Sequence, residues 1–135
     1  MPFDRRIFKY PAVEYIPLYP LTLALEPSWT VPIDRVLLYV FLDRETLDQE
    51  LNRLGLVLAT PVDFSQKLVL LTLGYQVTSA YYRGYTTILQ GEKLPGGYHI
   101  AAIPRGYFYK NKIHFILYDE NADKLAWANI DLQQH

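Results

Sequence analysis

The side chains that could carry out chemistry in this sequence are few and stand far apart. The histidines are His99, His114 and His135, and no two of them have the spacing that places two imidazoles on one helical face to hold a metal ion. Cysteine is absent, which excludes disulfides, thiolate metal sites and thiol nucleophiles. The sequence therefore predicts neither a metal site nor a cofactor.

The serines offer no recognisable catalytic setting. A serine nucleophile needs a base within hydrogen-bond reach and donors for the oxyanion, yet Ser28, Ser65 and Ser79 all lie outside any Gly-x-Ser-x-Gly turn. The acidic residues number fourteen, so pairs of carboxylates arise by chance and indicate no acid–base catalyst. We predict no catalytic residues. The alternative is a small hydrolase or ligand-binding enzyme that uses Ser79 or His99.

Tyrosine is the residue type that points most clearly to function, with twelve Tyr beside six Phe and two Trp. Its ring is apolar and its hydroxyl polar, so tyrosine is enriched at partly wet interfaces, although it is also a common strand residue. If Tyr81 and Tyr82 lie in one strand, they point to opposite faces of the sheet, so one can be core while the other is exposed. The tyrosines that we predict to form a binding surface are Tyr75, Tyr81, Tyr82, Tyr85, Tyr107 and Tyr109.

Composition limits the classes of protein and partner. A chain of 135 residues, half of them hydrophobic, fits one domain with its own core. Thirteen basic residues balance fourteen acidic ones and are scattered, so we expect no nucleic-acid partner. No apolar run approaches the ~20 residues of a membrane-spanning helix. The N-terminus does not read as a signal peptide, so the cytoplasm is the default compartment, with export expected if a signal was removed.

The elements that must position these side chains differ along the chain. Six of the nine prolines lie in residues 1–32, which predicts an extended arm or edge strands before a β-rich core over residues 33–135. Residues 35–42 are β-branched and aromatic, as in a buried strand. Leucines at helical spacing then predict a helix over residues 44–54, between an Asp43 N-cap and a left-handed Gly55.

The rest of the chain has the patterns of strands and turns. We predict a buried strand over 67–73 ended by Gly74, a long strand over 78–89, a turn at 95–97, a strand over 98–103 ended by Pro104, and a hairpin whose arms span 112–118 and 124–130. The predicted fold is therefore α+β and β-rich, an antiparallel sandwich or rolled sheet of about six to seven strands with one packed helix.

Three short stretches also carry a family resemblance. They are Pro61-Val-Asp-Phe-Ser65, Gly74-Tyr-Gln-Val-Thr-Ser-Ala-Tyr81 and Tyr98-His-Ile-Ala-Ala-Ile-Pro-Arg105. In this order they resemble the C-terminal domain family of the protease complex accessory subunit PrcB, over roughly residues 61–131. The sequence departs from the family pattern at Ser79 and Ala80, where the family has a glycine pair.

The resemblance implies a non-catalytic role beside a protease, since members of the family are mostly small exported or lipid-anchored proteins. It also implies structural roles for Asp63 and Thr78. With the tyrosine clustering, it leads us to predict a non-catalytic protein-binding or accessory module, associated with a protease or cell-surface complex. A structural homo-oligomer, formed through an uncovered sheet edge or the N-terminal segment, is a further alternative.

Overall fold

A computed structural model of the protein describes residues 14–24, 37–83, 86–108 and 110–132. Within these residues one α-helix, α1, spans Arg44–Leu54, and a short 3-10 helix spans Arg105–Tyr107. The strands in this part of the chain are β1 (Glu14–Ile16), β2 (Tyr19–Pro20), β3 (Leu23–Ala24), β4 (Leu37–Phe41), β5 (Val57–Leu58), β6 (Lys67–Arg83), β7 (Thr86–Pro104), β8 (Lys112–Tyr118) and β9 (Lys124–Asp131).

Two long strands organise the main sheet. β6 and β7 pair antiparallel along almost their whole length; four shorter strands pair with one end or the other of this ribbon, and β9 pairs with one of them, β8. At one end the order is β4–β6–β7–β2, and at the other it is β1–β6–β7–β8–β9. β3 and β5 form a separate two-stranded sheet. The predicted edge strands in the proline-rich segment are thus found in residues 14–24, while residues 1–13 and 25–36 lie outside the described part.

Gly74 does not end a strand, as the sequence predicts, but lies inside β6. It has a φ of 84°, and the pairing with β7 shifts register between Leu73 and Tyr75. Between these pairs β6 has only Gly74 whereas β7 has residues 94–97, so the surplus residues of this irregularity lie in β7. Pairing resumes beyond it, and glycine tolerates the positive φ that β6 adopts there. The Thr72 hydroxyl donates to the Tyr75 carbonyl oxygen at 2.7 Å, which links the two sides of the bulge.

Two other predicted boundaries also differ from the structure. The predicted single strand over 78–89 contains the reversal between β6 and β7, which pair antiparallel as far as Arg83 and Thr86. The predicted turn at 95–97 lies within β7, where Gly96 has a φ of 73°. A strand that carries such an irregularity continues because pairing resumes on its other side.

The sheet is mixed, because β8 runs parallel to β7. Residues 86–90 of β7 pair with residues 114–118 of β8, and β8 pairs antiparallel with β9 through the predicted hairpin. Parallel neighbours need a crossover of a dozen or more residues. Here the remainder of β7 and the 3-10 helix supply that length, whereas the sequence predicts an antiparallel sheet throughout.

The first half of β6 is buried on both faces and separates two hydrophobic cores. Leu68 and Leu70 point into an inner core, and Val69, Leu71 and Leu73 point into an outer one. The inner core also receives side chains from β4 and β9, which stand far apart in the strand order. The sheet is therefore rolled around the inner core, and it remains open. The β-rich α+β class with one packed helix is confirmed.

The helix closes the outer core at one end of the sheet. Its predicted bounds are confirmed: the Asp43 carboxylate accepts the Thr46 N–H at 2.8 Å, and Gly55 has a left-handed φ of 78°. Leu47 and Leu51 are 0% and 1% exposed against the sheet. Burial of two leucines at i and i+4 is what fixes an amphipathic helix on a sheet face.

Candidate functional site: an aromatic row on the open sheet face

The sheet has a helix-covered half and an open half. The helix-covered half consists of β2, β4, residues 67–73 of β6 and residues 98–104 of β7. The open half consists of β1, β8, β9, residues 75–83 of β6 and residues 86–93 of β7. On the outer face of the open half, five apolar side chains stand in register across five strands. This aromatic row comprises Tyr15, Tyr81, Ile88, Ile116 and Trp127.

The aromatic row faces away from the inner core because side chains alternate along each strand. Its neighbours Tyr82, Leu89 and Leu117 are all buried in that core. The two ends of the row are the most exposed, with Tyr15 at 67% and Trp127 at 59%. Large aromatic side chains with this exposure are unusual when they align, since exposed apolar residues of soluble domains are normally scattered singly.

The row crosses the whole open half of the sheet. Neighbouring strands lie about 4.8 Å apart, so four strand spacings separate Tyr15 from Trp127 by roughly 19 Å. The Tyr15 and Tyr81 rings touch, with centroids 5.6 Å apart and planes tilted by 56°. Between the aromatic ends, Ile88 and Ile116 are half-buried. The result is a narrow apolar strip with aromatic ends.

Polar side chains flank the strip on both sides. Two residues along the strands in one direction, the outward side chains are those of Ser79, Gln90 and Tyr118. In the other direction they are those of Thr86, His114 and Asn129. His114 Nδ1 and Asn129 Oδ1 form a hydrogen bond, which holds both side chains on the outer face.

Lys124 places a cation at the β9 end of this surface. Lys124 Nζ lies 5.2 Å from the centroid of the Trp127 ring, a cation–π contact. An apolar centre with a polar rim is the general anatomy of a protein–protein interface.

The structure separates the six tyrosines of the predicted binding surface. Tyr81 lies in the aromatic row, whereas Tyr82 is 5% exposed and packs edge-on against Phe108 with ring centroids 5.6 Å apart. Tyr107 packs against the inner core, and Tyr75 is half-buried. Tyr81 and Tyr82 thus point to opposite faces of β6, as the alternation predicts.

Tyr85 and Tyr109 lie outside the described residues. The other four tyrosines do not form one surface, since only Tyr81 belongs to the aromatic row.

Sequence reasoning missed four members of the row: Tyr15, Ile88, Ile116 and Trp127. The alternation of β8 could have placed Ile116 outward, opposite its buried neighbours Phe115 and Leu117. The alignment of the row depends on strand pairing between residues distant in sequence, including a parallel pair. No local pattern encodes that register.

Ser79 and His99 are not joined into a catalytic pair. His99 Nδ1 accepts the Val77 backbone N–H at 3.3 Å, and burial lowers the pKa of this imidazole. Ser79 lies opposite Gln90 at the rim of the aromatic row. In the described part of the chain, no hydrogen bond links Ser79 or His99 to a carboxylate.

Asp63 and Thr78 make local contacts of a structural kind. The Asp63 carboxylate accepts from the Ser65 N–H at 3.0 Å and from its hydroxyl at 2.6 Å, and these bonds lower the pKa of Asp63. The Thr78 hydroxyl donates to the Gln90 carbonyl oxygen at 3.2 Å, next to the second register shift of β6.

A concave feature lies between α1 and β4, away from the aromatic row. It is an open depression of about 460 Å³ that includes Tyr39, Glu50 and Arg53 in its lining. Arg53 Nη2 is 2.5 Å from Glu50 Oε1 and donates to the Tyr39 hydroxyl at 3.1 Å. Burial, followed by the hydrogen bond with Glu50, raises the pKa of Tyr39. Because its charged groups satisfy each other, this depression presents no free charge to a ligand.

Comparison with known proteins finds no relative. No protein-family model matches the chain, and no curated protein and no solved structure matches it either. Within residues 14–24, 37–83, 86–108 and 110–132, no helix is long and apolar enough to cross a membrane. The same residues contain no group of three His, Asp or Glu side chains that could hold a metal ion.

Proposed function

We propose that the protein is a non-catalytic binding module that contacts a protein partner through the aromatic row. The observation that carries this proposal is the alignment of Tyr15, Tyr81 and Trp127 with two isoleucines on one solvent-facing level of the sheet. Tyrosine and tryptophan are the residues that most often dominate binding energy when they are desolvated at the centre of an interface.

The hydrogen-bonding groups of the rim support a protein partner. The levels beside the row carry amide, hydroxyl and imidazole groups at Ser79, Gln90, Thr86, His114 and Asn129, with Lys124 at the β9 end and Arg83 at the register position opposite Thr86. Such groups exchange hydrogen bonds with water when free and with a partner when bound. An accessory role beside a protease or in a cell-surface complex, which the sequence resemblance implies, belongs to the same proposal.

The test compares partner capture by three forms of the tagged protein. The first is wild type and the second is Tyr15→Ser combined with Trp127→Ser. The third is a control, Val57→Ser, which removes an apolar side chain that is 60% exposed on the small β3–β5 sheet. We expect wild type and the control to retain one stoichiometric protein that the double variant loses. Equal capture by all three forms would exclude the aromatic row as the binding surface.

A homo-oligomer is a second candidate, because an exposed apolar strip also favours self-association. Sedimentation of the same three forms distinguishes the two functions. A concentration-dependent mass that only the double variant loses would assign the row to contacts between copies. A constant monomer mass in all three forms would exclude self-association through the row and favour binding of a different protein.

A further inference from the structure

The two halves of the sheet are joined by a bend through which, in the described part of the chain, only β6 and β7 run. This bend comprises residues 74–79 of β6 and 91–97 of β7. β4 and β2 pair with the ribbon on one side of the bend, and β1 and β8 pair with it on the other. Two register shifts interrupt the pairing of β6 with β7 within it. The bend is thus the narrowest section of the main sheet.

Side chains make hydrogen bonds in the bend that strand backbone normally makes. The Tyr75 carbonyl oxygen accepts from the Thr72 hydroxyl at 2.7 Å, and the Val77 N–H donates to His99 Nδ1 at 3.3 Å. His99 lies opposite Thr72, so its imidazole reaches back past the surplus residues of β7 to Val77. Buried backbone groups need such partners, because an unmet donor costs free energy. The two contacts therefore hold the bend together from both strands.

Only one of these two contacts depends on pH. A neutral imidazole that accepts at Nδ1 carries its proton on Nε2, whereas a protonated imidazole donates from both nitrogens. A proton on His99 Nδ1 would therefore face the Val77 N–H, and two donors cannot form a hydrogen bond with each other. The Thr72 hydroxyl does not titrate, so its bond to Tyr75 is the same at any pH in the physiological range.

The charged groups of the bend do not compensate for a proton on His99. The titratable residues of the bend are Tyr75, Glu92 and Lys93, and the last two are exposed. Burial lowers the pKa of His99, and no carboxylate or cation of the described residues contributes to that shift. His114 lies on the outer face beside the aromatic row. Protonation of His99 is therefore opposed by burial and is not stabilised by an ion pair.

We propose that His99 is a pH-sensitive switch for the bend, and that its protonation opens the pairing of residues 74–79 with 91–97 while the rest of the sheet stays paired. In the open bend the imidazole returns to its ordinary pKa of about 6.5. Each pH unit below that value then favours the open bend by up to about tenfold.

Amide hydrogen exchange, measured for single residues by NMR at pH 7.5 and pH 5 and corrected for intrinsic rates, tests the switch. The proteins compared are wild type, His99→Asn and Thr72→Val. The oxygen of an asparagine amide accepts in the place of Nδ1 at either pH. We expect the protection of Val77 to fall roughly tenfold or more at pH 5 in wild type and to remain unchanged in His99→Asn. Thr72→Val, the matched control, should lower protection in the bend at both pH values and retain the pH response.

Low concentrations of urea distinguish opening of the bend from unfolding of the whole domain. A local opening exposes little surface, so its exchange rates hardly change with urea, whereas amides that exchange through global unfolding respond steeply. Exchange of Val77 that hardly changes with urea would support the switch. Exchange that rises with urea as steeply as that of the core residue Leu70 would overturn it and assign His99 to global stability alone. Equal protection of Val77 at both pH values, or the same fall in His99→Asn, would also overturn it.

Discussion

The two halves of one sheet face differ in what lies on them. In the helix-covered half, β4 and the first half of β6 present Phe41 and Leu71, and α1 buries them with Leu47 and Leu51. In the open half, the continuation of the same face presents the aromatic row to solvent. Both halves share the inner core on the opposite face. The two halves therefore differ in whether a helix covers the outer face.

This comparison separates apolar residues that stabilise the fold from those available for binding. Aliphatic side chains dominate the covered face, where close packing rewards them. The exposed ends of the open face are Tyr15 and Trp127. Their polar groups can remain hydrated while their rings stay accessible to a partner. The predictions below test that separation.

The largest effect is expected from truncation in the helix-covered half. Leu51→Ala should lower the free energy of unfolding by about 2–5 kcal/mol, because it removes a fully buried side chain and leaves a cavity beneath α1. Urea denaturation measures this loss. Leu54→Ala is a matched control, since Leu54 is only partly buried beside the same core. A loss at Leu51 no greater than that at Leu54 would show that α1 does not hold the outer core.

The next effect concerns the bend that joins the two halves. Gly74→Ala should cost roughly 1–2 kcal/mol, because a φ of 84° is unfavourable for any residue with a Cβ. No atom lies within 4 Å of the added methyl group, so the cost arises from the backbone alone. Gly106→Ala is the control, because its Cβ also meets nothing and its φ is not positive. Equal thermal stability of the two variants would contradict the left-handed conformation of Gly74.

The sequence predicts the parts of this fold that local chemistry determines. The N-cap at Asp43 and the left-handed Gly55 limit α1 correctly, and alternation identifies the β8–β9 hairpin. The prediction fails at Gly74 and Gly96, since the same residue that ends a strand in one context forms a bulge in another. Only the partner strand decides between these outcomes.

The candidate site was harder to predict than the fold. Clustering of tyrosines in sequence places Tyr81 and Tyr82 together, yet the pleat sends them to opposite faces. The aromatic row joins residues as distant as Tyr15 and Trp127, and its alignment depends on the register of four strand pairs. A shift of one residue in any pair would turn the following side chains to the other face.

A pH dependence is expected from His99, which lies near the bend. Burial lowers its pKa below the usual value of about 6.5. The unfolded chain then binds the proton more readily than the folded one, so the stabilisation is complete above pH ~6.5 and declines as the pH falls below it. Unfolding free energies of wild type and His99→Asn between pH 7.5 and 5 isolate this contribution. The same pH slope in both proteins would show that His99 does not titrate with unfolding.

The smallest effect on the free energy of unfolding is expected from substitutions in the open half. A small effect there is informative, because it separates binding residues from residues that stabilise the fold. Trp127→Ser should change the free energy of unfolding by less than about 1 kcal/mol, because the ring is 59% exposed and its cation–π contact with Lys124 lies at the surface. Tyr15→Ser should behave alike, since its ring is 67% exposed and touches only the neighbouring Tyr81 among aromatic partners of the described residues. Both are measured by urea denaturation beside Leu51→Ala. A loss at Trp127 comparable to that at Leu51 would mean that the aromatic row stabilises the fold, and the distinction between the two halves would fail. A negligible loss, combined with abolished partner capture, would mean that the open half retains its exposed rings for binding.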